Sequence, residues 1–513
     1  PTATEPTEPE PTATQPAAVE PTDERTTEPP VEATIEPTTE VTTTTDVAVS
    51  AEDLGPNAST TKSLSTNFTL LNFGTSTANV TADYRLDSGA AWPGVGGANT
   101  AFTIPGNGGQ AIFRHYDTVQ FAGMQSGKGS VVIQSDQQLG AVVQVQARPP
   151  QVATFGAYAG ASLSSSKFFV PLVASKGSSA SGAVNSQIVM QNAGSGAINI
   201  RVTIISSAGA TALTKDFNNV PGNTSVYYDL ADETGLPTGF FGSAVVESLT
   251  GGGKVVVVSN LFSGADGVQT FNAFPQESVG TNWVVPLFTA RLANGLSAPI
   301  AVQNLSGGTL GVGAISLNCT AGAGSSTPNP ISVSNTTAVV NNGSYAFNPV
   351  TDVVNFPTGW LGSCRVTATG NVVAFVQLRQ VGTPNAGAYE AINASGTDKT
   401  VQVPLIAKQL ANGFATVLTV QNLTGTAGTA NFKYVKSDGT ITNVNGVALP
   451  ANGSIIHNHR VSSGSQAVTQ IPAGWQGTVT VTSDQPIGAF VQLTVIGATI
   501  GDTFMAHNAF TQP

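Results

Sequence analysis

One six-residue pattern, Pro-x-Gly-aromatic-x-Gly, recurs down the chain at nearly constant spacing. It reads Pro237-Thr-Gly-Phe-Phe-Gly242, Pro357-Thr-Gly-Trp-Leu-Gly362 and Pro472-Ala-Gly-Trp-Gln-Gly477, at intervals of 120 and 115 residues. A looser copy, Phe121-Ala-Gly-Met-Gln-Ser-Gly127, lies 116 residues before the first. Self-similarity at a fixed period marks one supersecondary unit repeated along the chain. Arrays of one scaffold build length, spacing or surface, whereas an enzyme concentrates its chemistry in one differentiated site.

Further motifs keep the same period. A strand leads to proline in Phe169-Val-Pro-Leu172, Val284-Val-Pro-Leu287 and Val401-Gln-Val-Pro-Leu405. An alternating strand then ends at asparagine in Gln187-Ile-Val-Met-Gln-Asn192, Ile300-Ala-Val-Gln-Asn304 and Leu418-Thr-Val-Gln-Asn422, with Phe68-Thr-Leu-Leu-Asn72 as the first copy. Apolar residues at every second position predict strands with one buried face. The asparagine fits a turn in which its side chain bonds backbone two residues on. A last short strand carries an aromatic residue: Phe155, Phe271, Tyr389 and Phe504. The Val, Thr, Ser and Asn content and the 56 glycines favour short strands and tight turns over helices.

About seven strands per repeat predict an all-β chain of four tandem antiparallel β-sandwich domains of immunoglobulin-like type. The expected domains are 51–162, 163–277, 278–396 and 397–513, behind an extended tail at 1–50. Strand order is open at this stage, and a jelly roll would leave a similar pattern.

The tail is a separate physical regime. Residues 1–48 hold nine Pro and fifteen Thr, and residues 1–50 hold eleven of the thirty acids against one base, Arg25. The tail therefore carries −10 of the net −11. Such a segment buries no apolar surface and is expected to be extended, as a spacer or O-glycosylated stalk. Its end, Val41–Ser50, is β-prone and is expected to pair with a neighbour. The remaining body is close to neutral, with no basic stripe, so no nucleic-acid partner is expected. No apolar run of about 20 residues is present, so no membrane span is expected. The chain opens on Pro1, as a processed chain or a fragment does.

Chemistry-bearing motifs are sparse. There is no nucleophile elbow, no His-Glu-x-x-His, no P-loop and no dinucleotide fingerprint, so no catalytic residue and no cofactor are expected. His457 and His459 share one face of a strand, but His457 aligns with Tyr228 and Phe347 and replaces an aromatic; His115 and His507 stand alone. Asp229, Asp232 and Glu233 lack the ligand spacing of a calcium loop, and no metal site is assigned. Phe240, Trp360 and Trp475 recur at the same corner and are expected to plug the core. Cys319 and Cys364 are expected to form a disulfide in an oxidising compartment. Sequons at Asn57, Asn67, Asn79, Asn223, Asn304, Asn318, Asn335, Asn342, Asn393, Asn422 and Asn452 are candidate glycosylation sites on turns.

The repeated sandwiches behind a Thr/Pro-rich stalk resemble secreted microbial cell-surface proteins of surface-layer, extracellular-filament or adhesin type. The resemblance is one of architecture over the four repeats and carries over no site residues. It implies a secreted, non-catalytic structural protein whose partners are copies of itself. The rival reading is a monomeric adhesin or carbohydrate-binding stalk that meets surface glycans, with the Thr320–Val333 insert as its most distinctive loop.

Overall fold

The computed structural model describes residues 41–46 by their backbone, and residues 64–147, 152–161, 163–179, 182–322, 324–326, 330–498 and 500–511 in full. The rest of the 1–50 tail, and Asn57, lie outside the described residues. The described chain is nearly all strand, in antiparallel sheets, with three short 3-10 turns.

The same arrangement of eight strands occurs four times. In the second repeat the strands are Lys167–Ser175, Gly182–Asn192, Ile198–Ser206, Thr211–Val220, Ser225–Asp229, Phe240–Ser248, Val255–Ser263 and Gly267–Asn272. Numbered in chain order, one sheet runs 4-3-6-1 and the other 5-2-7-8. The first and fourth repeats follow the same order. In the third, strands six and seven are continuous as Trp360–Gln380, which joins both sheets into one of nine strands.

The sandwich expectation agrees with this, and the immunoglobulin-like order does not. Immunoglobulin sheets pair the first strand with the second. Here the first strand pairs with the sixth, and the second crosses to the opposite sheet. The crossing follows a residue held in the left-handed region: Lys176, Arg291 and Gln409, at φ 49°, 44° and 47°.

The corner motif has a steric explanation. Its first glycine is left-handed in all three copies, Gly239, Gly359 and Gly474, at φ +81°, +82° and +79°. The aromatic residue opens the sixth strand and turns into the core, where Phe240 is 7 %, Trp360 0 % and Trp475 3 % exposed. The second glycine lies beneath that ring. A Cβ on Gly477 would sit 2.1 Å from the Val435 carbonyl oxygen and 2.8 Å from the Trp475 ring. In the first repeat the equivalent residue is Gly129, opposite Leu86 as Gly477 is opposite Lys436. The ring over Gly129 belongs to Trp92, from the loop after the third strand. The Phe121–Gly127 copy is therefore offset by two residues, because the first repeat builds its corner from a different part of the chain.

The strand-ending asparagines are buried plugs. Asn72, Asn192, Asn304 and Asn422 are fully buried. Each Oδ1 accepts from the backbone N–H two residues on, at 2.8–2.9 Å. Each Nδ2 donates to the carbonyl four residues on, at 2.7–2.8 Å. The first three also donate across the sandwich, to Ile104, Val220 and Val339. One side chain so closes the loop between strands two and three.

The Gly477→Ala and Gly362→Ala variants are each expected to lose about 1–3 kcal/mol through overpacking under the tryptophan. Gly474→Ala is expected to lose a smaller amount, through the left-handed backbone alone. Denaturant midpoints of the three variants check the order.

Candidate functional site: the seams, the axis and the first-strand position

The four repeats close into a ring. Their eighth strands, Thr154–Ala159, Gly267–Asn272, Ala386–Glu390 and Phe504–Asn508, pack in cyclic succession, and the last returns to the first. Core clusters run across every boundary, with Val189 and Val258 joining the first repeat's core and Phe155 and Ala157 joining the fourth's. Phe271 packs on Phe375 at 4.0 Å and Tyr389 on Phe490 at 4.2 Å, each pair bridging two repeats.

Register corrects the aromatic alignment of these strands. The residues opposite Val143, Ser259, Val376 and Val491 are Tyr158, Phe271, Tyr389 and His507. Phe155 and Phe504 sit three residues earlier, level with Val268 and Ala386.

The seams reuse one device. The turn before each fifth strand holds an asparagine in the left-handed region: Asn107, Asn223, Asn342 and Asn452, at φ 61°, 60°, 62° and 54°. In the last three its carbonyl accepts from a hydroxyl on the preceding repeat's sixth strand. Ser130 Oγ donates to Asn223 O at 2.7 Å, Ser243 to Asn342 at 2.5 Å and Ser363 to Asn452 at 3.1 Å. The strand-opening prolines supply the second half. Pro171, Pro286 and Pro404 lie where the ladder to the sixth strand shifts register. Proline has no N–H to give a ladder, and its carbonyl is turned to the neighbour. Ser344 Oγ donates to Pro171 O at 2.8 Å, Ser454 Oγ to Pro286 O at 2.9 Å and Gln110 Nε2 to Pro404 O at 2.5 Å. The last of these closes the ring between the fourth repeat and the first.

Asp502 ties all four repeats at one end of the axis. It is fully buried. Its carboxylate accepts from Val268 N at 2.9 Å, Ala386 N at 3.1 Å and Phe504 N at 3.1 Å, and its own N–H donates to Ala153 O at 2.8 Å. Each repeat thus contributes one backbone group. Three N–H donors explain how a carboxylate stays satisfied without exposure.

The first repeat differs in its first strand. Val41–Asp46, from the tail, pairs with Gly129–Ser135 in the register Thr43 to Ile133 and Thr45 to Val131. That is the place Phe168 and Val170 take opposite Val246 and Ala244 in the second repeat. The β-prone end of the tail therefore adds to a sheet of its own chain. Eighteen residues separate it from the second strand, against nine between Ala290 and Ile300 and five between Lys408 and Phe414.

The sequence-selected residues distribute as follows. Cys319 and Cys364 are disulfide-bonded across directly opposite positions of neighbouring strands, with Cα atoms 4.0 Å apart. Asp229 caps a short turn by accepting from Ala231 N at 3.0 Å, and Glu233 pairs with Lys215 at 3.0 Å. Asn79 and Asn318 are exposed, and Asn223, Asn342, Asn393 and Asn452 are half-buried. Asn67, Asn304, Asn335 and Asn422 are buried. A glycan cannot occupy Asn304 or Asn422 in this fold, because their amide nitrogens are consumed inside the turn. Among the described residues, no group of three or more His, Cys, Asp and Glu is placed to hold a metal. Of the Thr320–Val333 insert, 323 and 327–329 lie outside the described residues, and its end pairs as a fourth strand from Ile331.

His457 and His459 do face one way, and Tyr434 lies between them. The Tyr434 hydroxyl is 2.8 Å from His457 Nδ1 and 3.1 Å from His459 Nε2, and Thr416 Oγ1 is 3.0 Å from His459 Nδ1. His457 stacks on Phe432 at 3.8 Å. The first repeat has the counterpart, with His115 Nε2 3.4 Å from the Tyr84 hydroxyl. Burial pushes His115, His457 and His507 down to about 4 and His459 to about 3. Only neutral imidazole suits these sites.

Two expectations follow. Asp502→Ala strands three buried N–H groups, at about 1–3 kcal/mol each, so we expect a loss of at least about 3 kcal/mol in denaturant unfolding, with Asp502→Asn intermediate. The histidines have folded values below the ordinary 6.5, so their contribution is complete above pH 6.5 and is lost as pH falls toward 4, by up to about 3 kcal/mol each. Glu390 runs the other way, its carboxyl pushed up to about 7 by burial, and keeps partial exposure. Thermal melts are expected to fall steeply between pH 6.5 and 4, and less steeply in His457→Phe, which restores the aromatic found at Phe113 and Phe347.

No protein-family model and no curated protein matches this chain.

Proposed function

We propose that the chain is a non-catalytic extracellular structural protein that self-assembles into a cell-surface filament or layer. The observation that carries the reading is the first-strand position of the first repeat. It is filled by a tail segment, Val41–Asp46, on a longer tether than any other first strand. A strand held that way can fill the same position in a neighbouring copy, with every ladder bond conserved. Ring closure leaves that strand as the route of assembly. Head-to-tail contacts between repeats are consumed inside one chain, so they do not propagate a polymer. A body this close to neutral presents little charge repulsion to association.

Negative-stain electron microscopy and light scattering of the full chain, and of a chain lacking residues 1–46, test this. The full chain is expected to form regular filaments or sheets and the truncation to remain as separate rings. Monodisperse full-length chains would overturn the structural reading in favour of an adhesin stalk. Normal assembly of the truncation would retain self-assembly and remove the strand from it.

A further inference from the structure

The seam between the second and third repeats encloses a cavity of about 430 Å³, in the size range of small-molecule sites. Its walls include the apolar side chains of Leu172, Phe241, Leu261 and Val350, and Phe241 is exposed at 40 % although aromatic. Into this apolar space comes Arg379, from the long strand Trp360–Gln380.

Arg379 is unusual in its setting. It is half-buried, and its guanidinium has no hydrogen-bond or ion-pair partner among the described residues. No Asp or Glu lines the cavity. Burial lowers its pKa, so the unpaired charge is held at a cost. The neighbouring seam offers a direct contrast. There Arg365 donates to Asn282 at 2.9 Å and to Leu423 O at 2.7 Å, and so is consumed by the scaffold.

A second polar side chain lies in the same lining. Gln377 Nε2 donates to Gln269 Oε1 at 2.9 Å, which fixes the Gln269 amide and leaves its buried nitrogen without an acceptor. Neither residue belongs to the repeat pattern. Arg379 stands where the other repeats have Gln146, Phe262 and Thr494, and Gln269 where they have Gly156, Gly387 and Met505. The array has differentiated this one seam, in two repeats at once.

We infer that this seam binds a small monocarboxylate with an apolar body, its carboxylate held by Arg379 and its body against Phe241 and Leu172. Guanidinium matches a carboxylate in a forked pair, and an apolar surrounding strengthens that pair. The inference is independent of self-assembly, since the cavity lies within one ring.

The test is calorimetric titration of the full chain with 4-phenylbutanoate and with its uncharged analogue 4-phenylbutanamide. The acid is expected to bind saturably, one per chain, at least tenfold more tightly than the amide. Arg379→Gln is expected to weaken the acid at least tenfold and leave the amide unchanged. Val350→Trp, which fills the cavity and leaves the arginine in place, is expected to abolish both. No binding of the acid, equal binding of acid and amide, or undiminished binding to a folded Arg379→Gln chain would each overturn the proposal. Should Arg379→Gln fail to fold, the acid-to-amide ratio and the Val350→Trp chain decide it.

Discussion

In each repeat the sheet ordered 5-2-7-8 is covered on both faces, and the rest of the structure depends on that. A lone sandwich buries its inner faces and shows water its outer ones. Here the preceding repeat around the ring lies on the outer face of that sheet, so strands such as Val255–Ser263 and Leu139–Ala147 are buried along nearly their whole length. A chain with only 10 % charged residues becomes intelligible on this basis. Less of its surface meets solvent than four separate sandwiches would present. The polar groups that do enter the seams are paired by a repeated scheme of left-handed asparagine carbonyl, sixth-strand hydroxyl and proline carbonyl.

How much of this was legible in the sequence can be judged motif by motif. The alternation before Asn192, Asn304 and Asn422 located strands and a turn, because strand period and turn chemistry are local. The Pro-x-Gly-aromatic-x-Gly corner was legible as a core plug, since one glycine is fixed by backbone conformation and the other by a ring. Strand order was not legible, because pairing the first strand with the sixth depends on where the chain crosses between sheets. The ring was signalled but unread: Val255-Val-Val-Val258 is a continuous apolar run of the kind that marks strands covered on both faces. The roles of Pro171, Pro286 and Pro404 concern a neighbour more than a hundred residues away, which local spacing does not reveal.

The candidate functional features lie where one repeat departs from the others. The first repeat takes its first strand from the tail. The fourth supplies Asp502, whose two oxygens reach backbone of the second and third repeats. The third repeat places Arg379 where the others place Gln, Phe and Thr. The tail strand stands out in the sequence by its β-prone composition, whereas Asp502 and Arg379 are each one residue among many in a variable position. Each becomes visible once register aligns the repeats, because alignment separates what the scaffold requires from what one copy adds.

The closing contact carries a consequence for how the molecule is made. Gln110 and Pro404 are 294 residues apart, and their bond joins the earliest complete part of the fold to the latest. During synthesis, the outer face of the first repeat has no cover until the fourth exists. The chain must therefore keep an uncovered sheet face, with Phe155 and Ala157 on it, from meeting another chain for the whole interval, and contacts this distant form slowly. The order of emergence thus sets a period of vulnerability, and a fragment of one or two repeats would carry that exposed face permanently.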